Sequence, residues 1–103
     1  MKRARAWAIG AATLAEEALS RFDAAGDVRN GAATRAHLGM LLADLGRLDE
    51  ARVLLAGAAA DGQSFGLPKN LAFTLWALGM TCLEQGDLPD ALSAVARARH
   101  SAA

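Results

Sequence analysis

NGAATRAHLGM (Asn30–Met40) and NLAFTLWALGM (Asn70–Met80) read as two versions of one helix, offset by the step that carries Asn30 onto Asn70. Sliding the chain by that interval aligns 34 positions, of which 11 are identical. The identities include Asn30/Asn70, Ala32/Ala72, Leu38/Leu78, Gly39/Gly79, Gly46/Gly86, Ala51/Ala91 and Ala58/Ala98. Self-similarity at a fixed interval of this size marks a repeat architecture, in which each unit buries its apolar face on the next.

The spacing inside each unit says how its two helices meet. Gly39 and Gly79 stand inside the first helix, where glycine costs about 1 kcal/mol relative to alanine. A reason to keep it is a neighbouring helix that crosses too closely for a Cβ. Seven residues later, Gly46 and Gly86 suit the left-handed position that ends a helix. The link that follows is very short: Arg47-Leu48 in one unit, Asp87-Leu88 in the other. Asp87 can cap the next helix, and Pro89 suits a first turn, where its missing N–H is not needed. The second helix then aligns Ala51, Leu55 and Ala58, or Ala91, Val95 and Ala98, on one apolar face at i, i+4, i+7.

The same shift run backwards sets Ala11, Ala15 and Ala18 beneath Ala51, Leu55 and Ala58. The first helix therefore reads as the second member of a pair without its partner. The layout predicted is five helices near 4–24, 29–45, 48–60, 68–85 and 88–101. Turns fall at Gly26-Asp27, Gly46, Asp61–Leu67 and Gly86-Asp87. One domain over 1–103 would comprise a half unit (1–29), a first repeat (30–69) and a second (70–103).

Composition agrees. The chain holds 26 Ala and 16 Leu against eight β-branched residues, a balance that favours helix over strand, so the fold class expected is all-α. Eleven basic residues cancel eleven acidic ones, which argues against nucleic acid as a partner, since its binders carry a basic surplus. A single cysteine, Cys82, forms no intrachain disulfide, and no apolar run reaches the roughly 18 residues of a membrane span. A cytoplasmic location and no membrane partner are expected. Lys2, Arg3 and Arg5 ahead of Ala6–Ala15 resemble the start of a secretory signal. That stretch is rich in Ala and Gly, runs into Glu16-Glu17 and keeps the repeat register, so it is read as an ordinary first helix.

Catalytic chemistry is not visible. There is no phosphate-binding loop, dinucleotide turn or metal-ligand cluster, so no catalytic residue, cofactor or metal is expected. His37 and His100 are far apart in the chain and read as surface or groove side chains. Cys82 falls where the repeat wants a buried bulky residue and reads as core. Glu16-Glu17 and Asp49-Glu50 read as solvated helix faces.

The string Leu38-Gly39, Leu42, Gly46, Ala51, Leu55, Ala58, repeated as Leu78-Gly79, Cys82, Gly86, Ala91, Val95, Ala98, resembles the tetratricopeptide repeat. The aromatics expected in that pattern are aliphatic or sulfur here. The interval is also longer than the about 34 residues usual for that repeat, and nearer that of HEAT repeats. The short link and the Leu-Gly placement favour the tetratricopeptide reading. The extra residues are expected to lengthen the link around Asp61–Leu67. A second string, Phe22–Asn30 before the Leu-Gly helix, resembles long-period repeats in large bacterial signalling proteins, such as serine/threonine kinases and ATPase-type regulators.

The resemblance implies an α-α superhelix, a solenoid whose first helices line a concave groove for a protein or peptide partner. Carried over residue by residue, the groove positions are Ala33, Ala36, His37, Met40 and Asp44 from the first unit. From the second they are Phe73, Trp76, Ala77, Met80 and Glu84. The Lys, Asn and Arg that clamp an acidic tail in chaperone-type grooves are replaced at Ala33, Ala36, Met40 and Trp76, so such a tail is disfavoured. Phe73, Trp76 and Met80 form a stripe separate from the core stripe Leu71, Leu75, Leu78 and Cys82. The function expected is a non-catalytic interaction module. The alternative is a structural or homo-oligomerising piece, with a second copy covering the terminal helix Pro89–His100.

Overall fold

The computed structural model describes residues 2–102. Five helices follow one another: α1 Lys2–Ala25, α2 Val28–Asp44, α3 Leu48–Ser64, α4 Pro68–Glu84 and α5 Leu88–Ala102. No strand occurs among the described residues. Each helix packs on its sequence neighbour. Among the described residues one further pairing exists, α2 with α4, and neither α1 with α3 nor α3 with α5 makes its counterpart. Alternate helices therefore form two layers, and the α2/α4 layer is the one drawn together. The thinnest dimension, 19 Å, is about two helix diameters.

The two glycine crossings are equivalent. A Cβ placed on Gly39 would lie 2.7 Å from Leu55 Cγ and 3.4 Å from the Ala51 carbonyl oxygen. One placed on Gly79 would lie 2.9 Å from Val95 Cγ2 and 3.3 Å from the Ala91 carbonyl oxygen. The same two positions of the partner helix meet the glycine in each hairpin, so α2–α3 and α4–α5 nest in one register. The core follows from this. Leu55, Leu75, Leu78, Cys82, Ala91 and Ala94 form one buried cluster, and Ala12, Leu38, Leu42 and Ala51 form another.

The links correct one expectation. The stretch Asp61–Leu67 is not an extended link: α3 runs on to Ser64, and only Phe65–Leu67 separate it from α4. The long interval is taken up in helix length, since α2, α3 and α4 each have 17 residues. Gly26, Gly46, Gly66 and Gly86 all have positive φ, between 65° and 80°, and they recur at equal intervals along the chain. After each, the next residue donates its N–H to the carbonyl five residues back: Asp27 to Phe22, Arg47 to Leu42, Leu67 to Gly62, Asp87 to Cys82, each at 2.9 Å. This closure satisfies the last carbonyls of the helix. The same residue then accepts from the first turn of the next helix, so it ends one element and opens another. Every link is one device, whether within a pair or between pairs.

Asp27 and Asp87 also cap with their side chains, accepting from the backbone N–H of Asn30 and of Asp90. Hydrogen bonds from the Asn30 side chain and backbone hold the Asp27 carboxyl below its ordinary range. For Asp87 the Asp90 N–H does most, followed by the Arg52 guanidinium.

The first helix is turned slightly from its expected face. Among the described side chains of α1, Ala8 and Ala12 are buried, whereas Ala11, Ala15 and Ala18 are half-buried. In α3 the equivalents Ala51, Leu55 and Ala58 are buried because α2 covers them. Among the described residues no such helix covers the matching face of α1.

Candidate functional site

Phe73, Trp76 and Met80 lie at i, i+3, i+7 on α4, pointing away from the stripe that fills the core. Leu75, Leu78 and Cys82 are buried and Leu71 is half-buried against them. Trp76 remains 53% exposed, Phe73 43% and Met80 39%. With Met40 and Ala43 of α2 they line a shallow groove of about 210 Å³, flanked at the C-terminal ends of the two helices by Asp44 and Glu84. Ala77 and Thr81 form part of its lining. Thr81 is buried, and its hydroxyl donates to the Ala77 carbonyl at 2.9 Å, so it offers no free donor.

Of the residues expected here, Met40, Asp44, Phe73, Trp76, Ala77, Met80 and Glu84 converge on this groove. His37 is exposed and joins from the side, its ring 6.2 Å from that of Phe73 at a 50° tilt. Ala36 is buried and Ala33 is half-buried; neither lines the groove. Ala43 and Thr81 are additions that the sequence reading lacks. Ala43 stands one residue before Asp44, and only the wall formed by α4 shows that it turns inward.

The charge of the groove is one-sided. Asp44 and Glu84 are the last residues of α2 and α4, both are exposed, and they are equivalent under the repeat. A helix C-terminus already carries partial negative charge, where carboxylates are disfavoured by about 0.3–1 kcal/mol. Neither helix has a basic residue in its last turn. Among the described residues neither carboxylate has an ion-pair partner, in contrast to Asp23, Asp61, Asp87 and Asp90, which pair with Arg35 or Arg52.

Other candidate groups have structural surroundings. Cys82 is buried in the core, and burial pushes its thiol up from the ordinary value, which disfavours the thiolate a nucleophile requires. Arg35 reaches both carboxylate oxygens of Asp23 at 3.0 Å and Asp61 at 3.0 Å, tying α1 and α3 to α2. Arg52 binds Asp87 at 2.9 Å together with Asp90 and Gln85, tying α3 to the last turn. Of the basic start, Arg5 is exposed, and the side chains of Lys2 and Arg3 lie outside the described residues. No helix among the described residues is long and apolar enough to cross a membrane.

A family model described as the tetratricopeptide repeat matches residues 30–100. The chain belongs to the tetratricopeptide repeat family. No curated protein and no solved structure gave a significant match. The matched span runs from the start of the first repeat through most of α5, and so contains both glycine crossings and the groove between α2 and α4. Tetratricopeptide repeats are non-catalytic and mediate contacts between proteins, and the superhelix they build accounts for the α2/α4 pairing.

Proposed function

We propose that this chain is a protein-interaction module that holds a peptide or helix of a partner in the groove between α2 and α4. The observation that carries this reading is the exposed stripe Phe73, Trp76 and Met80, facing Met40 across a concavity. A helix apolar on two faces buries both in its working state, and aromatic anchors with adaptable Met side chains are what such contacts favour. In setting, the module is proposed to be cytoplasmic and to serve a bacterial signalling or regulatory protein. The resemblance of the Phe22–Asn30 string to long-period repeats of large bacterial signalling proteins is what supports this. The upstream and downstream gene sequence tests the setting: a kinase or ATPase domain on the same reading frame supports it, and an unrelated context removes it.

Self-association is the second reading, and it draws on a different surface. Leu88 and Leu92 of α5 are exposed, as are Trp7 and Leu14 of α1. Trp76→Ala in the groove and Leu92→Asp on α5 separate the two readings, the first acting on partner capture and the second on the mass of the isolated chain. Loss of a partner identified by mass spectrometry, with mass by light scattering unchanged, supports the groove. A change in the oligomeric state of the isolated chain supports self-association.

A further inference from the structure

We infer that the partner in the groove is a cationic amphipathic helix, whose basic residues lie beyond its last apolar anchor and sit against Asp44 and Glu84. This rests on the groove reading above and specifies its ligand.

Charge selects the basic end. Two carboxylates and the C-terminal ends of two helices meet at one end of an otherwise apolar groove. A ligand anchored on Phe73, Trp76 and Met80 must place something beside them. An acidic or neutral residue there leaves the negative potential unanswered, while Lys or Arg gains from both carboxylates and both helix ends. An acidic tail is repelled at the same place.

Backbone chemistry selects the helix. The groove is walled by two helices whose own N–H and C=O groups are engaged, and its one lining hydroxyl, on Thr81, is spent on Ala77. The donors and acceptors left for an extended peptide are the Trp76 indole N–H and the two carboxylates gathered at one end, so most of its backbone groups would depend on water. A helix satisfies its own backbone and needs only side-chain contact. The stripe it meets has helical spacing over two turns, about 10 Å along α4, which suits anchors at i, i+3 or i+4, and i+7.

The test uses the full chain and two fluorescein-labelled synthetic helices. Both carry Leu, Phe and Leu at i, i+3 and i+7 on an Ala/Gln background. One ends in three lysines beyond the last anchor, its twin in three glutamates. Fluorescence anisotropy in about 0.15 M salt is expected to show the lysine helix binding at least tenfold tighter, with the gap shrinking as salt rises. The double variant Asp44→Lys, Glu84→Lys is expected to reverse the order, and its circular dichroism to match the parent, since both sites are exposed helix ends. Trp76→Ala is expected to weaken both helices. Equal binding of the twins, or an order that survives the charge reversal, overturns the cationic ligand and leaves the apolar groove standing. Binding of neither helix, or binding indifferent to Trp76→Ala, overturns the groove itself. Self-association abolished by the charge reversal would place a second copy in the groove and overturn a separate partner.

Discussion

The two hairpins α2–α3 and α4–α5 share one frame and differ on one face. Gly39 and Gly79 meet the same pair of positions on the following helix, and Gly46 and Gly86 close the same turn. On the inner layer the copies diverge: Ala33 and Ala36 in α2 stand where α4 carries Phe73 and Trp76. Close helix crossings tolerate almost no change of volume, so they hold the repeat together. A half-exposed inner face tolerates much, and there the second unit is large and apolar. The lesson is that the shared geometry builds the scaffold while the divergent positions set what the inner face exposes.

The frame can be broken at its crossings. Gly39→Ala is expected to destabilise the chain by about 2 kcal/mol, because the added methyl overlaps Leu55, which is fully buried and cannot move aside. Gly79→Ala is expected to cost about 1 kcal/mol, since Val95 is only half-buried on the last helix and the better helix propensity of alanine offsets part of the overlap. Urea unfolding of both variants measures the difference; equal costs would show that the hairpins do not differ in depth. The links sharpen the frame further. Gly46→Ala and Gly66→Ala are each expected to cost about 1 kcal/mol, since both force a left-handed backbone on a residue with a Cβ. A much smaller loss at Gly66 would mean that the link between pairs is looser than the link within a pair.

The smallest effect separates the caps. Asp87 is held below its ordinary pKa by the Asp90 N–H and by Arg52, so it stabilises the fold above the ordinary carboxylate range. That contribution is lost as pH falls through the depressed folded value. Asp87→Asn is therefore expected to be less stable than the parent at neutral pH and to converge with it in acid. Parallel stability curves would rule out this linkage.

Much of the frame is legible in the sequence because close packing restricts residue type: glycine fits at 39 and 79, and alanine recurs opposite them at 51 and 91. The link at Asp61–Leu67 is not, because a long interval reads as loop when the unit length is compared with a shorter repeat. The signal against that lies in the even spacing of Gly26, Gly46, Gly66 and Gly86, which gives α2, α3 and α4, each with its link, the same length. The groove is legible on α4, where large apolar residues fall outside the core stripe. It is less legible on α2, where alanines look alike whether buried, as Ala36 is, or lining the groove, as Ala43 does. The open face of α1, with Trp7 and Leu14 exposed, is legible from the backward repeat shift, which reads that helix as the second member of a pair without its partner.

Trp76 itself gives the most direct test. In a Trp7→Phe background it is the one remaining tryptophan, and its emission reports the groove alone. The free chain is expected to emit as a water-exposed indole, and titration with the lysine-tailed helix is expected to shift that emission to the blue and shield it from an aqueous quencher. Binding of the helix with the Trp76 emission unchanged would contradict the account.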